Sequence, residues 1–193
     1  MRKVIVSEMV TLDGFFAGPN GEIDWHIVDE EFNQYAIDLL NTVDTILFGR
    51  ATYQLFESYW PDVAVNPSTS KSDLEIAHKI NSMTKIVFSK SLEKVAWKNA
   101  RLVKEFIPEE IAKMKQQPGK DMVIFGSGSV VSTFTQLGLI DEYRLIVNPV
   151  ILGKGKRLFK INDKLNLKLL KTKVFHSGNV LLSYQPDRKE VKK

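Results

Sequence analysis

Short apolar blocks and amphipathic stretches alternate along this chain, and the alternation predicts its elements. Thr45-Ile46-Leu47-Phe48, Lys85-Ile86-Val87-Phe88 and Met122-Val123-Ile124-Phe125 read as short strands buried on both faces. A strand from Lys3 to Val10 opens the chain and ends in Thr11-Leu12-Asp13-Gly14, a modest strand lies near Ala100 to Val103, and Tyr143 to Val147 forms another that stops at Asn148-Pro149. Between them runs helical spacing. Asp29 is placed to cap a helix with an acidic first turn, Glu30 and Glu31, and a buried stripe of Phe32, Tyr35, Ala36, Leu39 and Leu40. A second helix leaves Gly49-Arg50-Ala51-Thr52 and ends before Pro61, and shorter ones cover Asp73 to Ile80 and Pro108 to Gln116. Val130, Val131, Phe134 and Leu137 share a face of the helix after Gly126-Ser127-Gly128-Ser129, with Ser127 or Ser129 as its cap and Gly138 as the left-handed residue beyond its end.

The chain closes with two antiparallel strands, about Leu165 to Phe175 and Val180 to Gln185, joined through His176-Ser177-Gly178-Asn179. Strand-helix units followed by a hairpin predict a three-layer α/β/α fold around a mixed sheet, mostly parallel with an antiparallel C-terminal hairpin. One domain spans residues 1–186, and residues 187–193 form a charged, flexible tail.

Composition changes this picture little. Hydrophobic residues at 44% and charged residues at 26% of 193 suit a single globular domain with a substantial core. The net charge of +4 is half concentrated in the tail, where Arg188, Lys189, Lys192 and Lys193 outnumber Asp187 and Glu190, so no nucleic-acid-binding face is expected. With no cysteine, disulfides and thiol chemistry are excluded, and His26, His78 and His176 show no ligand spacing for a metal. The apolar run after Met1-Arg2-Lys3 is too short for a signal peptide and no later stretch approaches a membrane span, so a cytoplasmic protein is expected.

Candidate chemistry gathers at the strand ends. Asp13-Gly14, Gly49-Arg50-Ala51-Thr52, Ser89-Lys90-Ser91 and Gly126-Ser127-Gly128-Ser129 each follow a strand, two of them at helix N-termini and two carrying a cation. On one rim they could cradle a ligand with several phosphates; taken singly, each is as readily a tight connection. The last of them is no strict dinucleotide fingerprint, since Val131 takes the third glycine's place. The long segment from Gly14 to Asp24 carries Phe15 and Phe16 with Trp25 just beyond, more aromatic surface than a solvated linker needs, so it is expected to close over something.

These residues also carry a family resemblance. Thr11-Leu12-Asp13-Gly14 with Gly18-Pro19-Asn20-Gly21 and Asp24-Trp25, then Phe48 to Tyr53, Val87 to Leu92, Phe125-Gly126-Ser127-Gly128 and Gly138 to Tyr143 resemble the dihydrofolate-reductase-like family. The match is nearest to stand-alone relatives of the C-terminal reductase domain of bacterial riboflavin biosynthesis, over about Val4 to Tyr184. The resemblance implies an NADPH-dependent reductase acting on a C=N or C=O of a pterin- or (ribosylamino)pyrimidine-like substrate, similar to 5-amino-6-(5-phosphoribosylamino)uracil reductase or dihydrofolate reductase, and a homodimer. It implies that Gly49, Arg50 and Thr52 face the cofactor pyrophosphate, Ser89 and Lys90 the 2′-phosphate, and Gly126, Ser127, Gly128 and Ser129 the cofactor's nicotinamide side. Asp13 matches a substrate-side aspartate and Trp25 a loop tryptophan, while Phe125 stands where the riboflavin reductase domain has a glutamate. Asp13 is thus the first candidate for orienting substrate or relaying a proton, followed by Glu30 or Glu31, and a nucleotide-binding module without catalysis is the alternative.

Overall fold

In the computed structural model, which describes residues 1–187, the side-chain parity of the strands sorts the core into two layers. The parallel part of the sheet is built from β1 (Val4–Thr11), β3 (Val43–Gly49), β4 (Thr84–Phe88), β5 (Ala100–Val103), β6 (Asp121–Ile124) and β7 (Glu142–Asn148). Val4, Val6, Leu47, Ile86, Met122 and Ile124 point to one side, under α4 (Pro108–Gln116) and α5 (Gly128–Gln136). Their neighbours Ile5, Ile46, Phe48, Val87 and Val123 point to the other, under α1 (Glu30–Thr42), α2 (Arg50–Val63) and α3 (Lys71–Ser82). Successive residues of a strand face opposite ways, so apolar residues at every position demand helices on both faces, as the sequence predicted.

β9 (Leu167–Val174) and β10 (Val180–Pro186) complete the eight-stranded sheet, whose order is β5-β4-β3-β6-β1-β7-β10-β9. β10 pairs antiparallel with both β7 and β9, and every other pairing in this sheet is parallel. The charged tail expected at residues 187–193 lies, from residue 188 on, outside the described residues.

Three details depart from the sequence reading. The aromatic loop after β1 is partly ordered as β2 (Phe15–Ala17), which pairs with β8 (Lys156–Arg157) and lies close against Gly155. Helix α2 runs through Pro61, tolerated because it stands in the last turn, where its missing N–H costs a single bond. Ser127 takes the N-cap position of α5, but its hydroxyl pairs with Ser129 Oγ at 2.9 Å instead of capping an amide. Asp29, in contrast, caps α1 as expected, accepting from Phe32 N at 2.7 Å.

Two buried lysines tie helices to the sheet. Lys115 on α4 pairs with Asp141 at 2.6 Å, whose carboxylate also accepts from Val4 N. Lys85 on β4 is fully buried; its ammonium donates to the carbonyls of Asn81, Met83 and Lys98 and lies 4.4 Å from the Trp97 ring centroid. Burial pushes this ammonium down to about 8. Lys85→Met keeps the volume but strands three carbonyls, so the variant is expected to lose about 2–3 kcal/mol of stability. A thermal melt should register that loss as a drop of roughly 5–10 °C, and an unchanged melt would show the carbonyls find other donors.

Candidate functional site

The carboxyl ends of β4, β3, β6 and β1 are neighbours in the sheet, and the residues after them form one ledge. Its middle is a contact between two glycines. Gly49 N donates to Gly126 O at 3.2 Å, and a Cβ on Gly49 would run into the Ser127 hydroxyl. Gly126 has φ +105°, and a Cβ there would lie 2.6 Å from Thr52 Oγ1 and 2.8 Å from Glu8 Oε1. The peptide between Gly126 and Ser127 is cis. At Gly128 a Cβ would come 2.9 Å from the Phe16 ring, so the loop after β1 closes against the start of α5.

Toward β4 the ledge is cationic. Arg50 donates to Ser91 Oγ at 3.1 Å, Ser91 Oγ lies 3.4 Å from Ser89 Oγ, and Ser89 Oγ accepts from Leu92 N. Lys90 is exposed beside them, and Lys104, following β5, donates to the carbonyls of Lys90 and Leu92. Arg50 thus meets a small group of hydroxyls directly, with Lys90 in the same segment and Lys104 bonded to its backbone. Helices α2 and α5 begin on the same ledge with no side chain capping their first amides, which leaves helix N-terminal dipoles directed at it. This arrangement suits a ligand with more than one phosphate.

Toward β1 the ledge holds an acid. Glu8 occupies the face of β1 that carries Val4, Val6 and Val10, and its Oε1 has neither solvent access nor a hydrogen-bond partner. Burial alone pushes its carboxyl up to about 8, far above the ordinary 4.5, so the acid holds its proton at neutral pH. Phe125, just past the end of β6, turns to the opposite face of the sheet, half-buried and stacked on Phe56 with ring centroids 5.8 Å apart.

The ledge thus brings together Gly49, Arg50, Thr52, Ser89, Lys90, Gly126, Ser127, Gly128 and Ser129, and the other expected residues stand apart from it. Asp13 accepts from Thr11 Oγ1 at 2.6 Å and from the amides of Leu152 and Gly153, bonds that hold its carboxyl below the usual range and latch the loop after β1 to the one after β7. Trp25 packs on the cluster of Met9, Ile146, Phe175 and Leu181, and its indole donates to Glu22 O. Glu30 accepts from Ser72 Oγ.

Glu31 is engaged with the C-terminal hairpin, away from the ledge. It accepts from His176 N, pairs with Lys173 at 3.0 Å and meets the His176 ring at 3.0 Å, which pulls its carboxyl down to about 2. A carboxylate held this way pins the C-terminal hairpin to α1 and has no proton to give at neutral pH. Glu8, Ser91 and Lys104 were missed from the sequence. Glu8 had a readable signal: an acid at the fifth place of Val4-Ile5-Val6-Ser7-Glu8-Met9-Val10 falls in register with valines on the buried face.

Comparison with known proteins adds the following. A family model described as the RibD C-terminal domain matches residues 2–182. The chain is 41% identical over 184 residues to the uncharacterized protein YyaP of Bacillus subtilis (strain 168), covering 95% of this chain and 94% of that protein. Among solved structures, a putative riboflavin biosynthesis protein from Shewanella sp. PV-4 is similar with a TM-score of 0.73 at 23% identity, over 96% of this chain and 99% of that one. Dihydrofolate reductase from Enterococcus faecalis, complexed with NADP(H), is similar with a TM-score of 0.63 at 14% identity over 96% of both chains. At these identities the two structures establish a shared fold: the mixed sheet is that of the dihydrofolate-reductase-like proteins.

The acid at Glu8 has a measurable consequence for stability. Between about 4.5 and 8 the folded protein keeps a proton on Glu8 that the unfolded chain has released, so this group makes stability fall as pH rises through that window. Glu8→Gln cannot ionise and should remove that fall. Melts of both proteins at pH 5, 6.5 and 8 (roughly spanning the window) are expected to show the variant gaining on the parent by several degrees; parallel curves would mean that Glu8 is solvated.

Proposed function

The chain belongs to the RibD C-terminal domain family, and from that premise we propose that it is an NADPH-dependent reductase of a C=N or C=O bond in a pterin- or (ribosylamino)pyrimidine-like heterocycle. The observation that carries this reading is the single ledge formed by separate strand ends, cationic at β4 and acidic at β1, with two glycines between. Its donors fit a phosphorylated dinucleotide: the Arg50 guanidinium with Ser89 and Ser91, flanked by Lys90 and Lys104, for a terminal phosphate, and Thr52 with the uncapped starts of α2 and α5 for a pyrophosphate. The glycines at 49 and 126 let the ends of β3 and β6 lie against each other, which brings the starts of α2 and α5 to the same ledge. The related fold in the Enterococcus enzyme was solved with NADP(H), which supports a nicotinamide dinucleotide here.

When bound, NADPH supplies a hydride to an electron-poor carbon. The chain's own part is to position and to protonate. Arg50 and its hydroxyl partners fix the cofactor's phosphate end, and a substrate heteroatom needs a proton donor. A cofactor-binding module without catalysis would lack such a donor. Phe125 supplies none, but Glu8 on the neighbouring β1 brings a protonated carboxyl up to Gly126, which favours an enzyme.

Titration of NADPH fluorescence tests the cofactor half of the proposal. Lys90→Ala and Arg50→Ala should each weaken NADPH by about 10- to 100-fold, the worth of a charge-assisted hydrogen bond, and NADH by much less. Equal losses for the two dinucleotides would remove these cations from a 2′-phosphate site. Oxidation of NADPH by a panel of pterins and aminopyrimidines tests the other half; binding with no turnover on any of them would favour the module.

A further inference from the structure

Glu8 is a half-buried acid whose Oε1 is sealed from solvent and which the fold does not use. The other buried acids have donors: Asp141 takes Lys115 and Val4 N, and Glu142 takes Arg144 at 2.7 Å. Glu8 Oε1 has none, although a buried polar atom without a partner is destabilising by about 1–3 kcal/mol. The charged groups on the elements around it point to other contacts or other directions. On β7 its register partner is Leu145, while Arg144 and Glu142 pair with Ser7 and Ile5 on the opposite face, where Tyr35 of α1 also sits. On α2, Arg50 bonds Ser91 and Glu57 bonds the Tyr53 hydroxyl; α5 carries no titratable side chain. On β8, Lys156 approaches Gly21 and Arg157 lies over the Phe15 ring.

The ledge has a direction. From the cationic end at β4 to Glu8 on β1 there are three strand-to-strand steps, on the order of 14 Å, a span that a dinucleotide held by its phosphate at β4 would cover with its other ring arriving at Gly126 and Glu8. Resting on the cofactor reading above, we propose that Glu8 is the acid facing the nicotinamide ring: it keeps its proton beside the neutral reduced ring and releases it beside the cationic oxidised one. The ion pair formed in the second state supplies the counter-charge that the fold withholds, and an opposite charge within reach lowers a carboxyl by roughly 1–3 pH units. In turnover the Glu8 O–H bond breaks as the substrate heteroatom gains an N–H or O–H bond. The hydride comes from the reduced dinucleotide, Glu8 is left as carboxylate opposite the oxidised ring, and solvent restores its proton after release.

Proton counting tests this without a substrate. NADP+ and NADPH are added separately to the protein in weakly buffered solution near pH 7 with a pH indicator, where Glu8 is about nine-tenths protonated if alone. Changes due to the phosphates are common to both and cancel in the difference. NADP+ is expected to release about 0.4–0.9 proton more than NADPH, and its affinity to rise by up to about tenfold per pH unit relative to NADPH between about pH 6 and 8. Glu8→Gln should bind both dinucleotides with equal proton counts and flat relative affinity, and Glu8→Asp should restore part of the difference. Equal counts in the parent with both dinucleotides bound, or a difference surviving in Glu8→Gln, overturns the assignment while leaving the cofactor reading intact. If neither dinucleotide binds, the cofactor reading falls and Glu8's role with it.

Discussion

The structure depends on two strand ends being allowed to touch. β3 and β6 are adjacent parallel strands, and at their carboxyl ends the chain must leave the sheet into α2 and α5 almost side by side. Any side chain at Gly49 would strike Ser127, and any at Gly126 would strike Thr52 and Glu8. Because both positions are bare, both helices start from one ledge, and their dipoles add at the same place as the Arg50 cation. The ledge is therefore a product of steric permission first and of charge second.

That order explains what could be read from the sequence. The three layers were legible because apolar runs such as Ile46-Leu47-Phe48 have no polar face to give to water, and helices α1, α4 and α5 because their stripes and ends carry conventional signals such as Asp29, Pro108 and Gly138. The ledge was legible because its turns are local: each is a strand followed within a few residues by Gly, Ser or Arg. Long-range contacts were not. Asp13 binds the amide of Gly153, and Glu31 binds His176, partners well over a hundred residues away that no spacing rule connects. Both acids looked available because acids in loops and first helical turns are exposed by default; their actual partners arrive from the end of the sheet.

The opposite error hid Glu8. Within an apolar strand a lone acid reads as an interruption, and Ser7 before it strengthens that impression. Yet parity assigns Ser7 and Glu8 to different faces, each with a different fate: Ser7 finds the Tyr35 hydroxyl at 3.0 Å, and Glu8 finds nothing. Lys104 and Ser91 escaped for a third reason, since their positions matter only through the order of β5, β4 and β3 in the sheet.

The two ends of the ledge are electrically unlike, and this follows from how each kind of charge is tolerated. Cations at Arg50, Lys90 and Lys104 stand at the solvent edge, where hydration keeps them charged and salt screens their mutual repulsion. An acid at the β1 end sits behind Gly126 and Thr52, where ionising would leave a charge uncompensated, so it stays neutral. Had the acid been exposed and ionised, it would have weakened any anion held there; had the cations been buried, they would have needed acceptors of their own, as Lys85 has in three backbone carbonyls. Separation by three strand-to-strand steps keeps an anion-attracting rim and a protonated acid on one ledge without either cancelling the other.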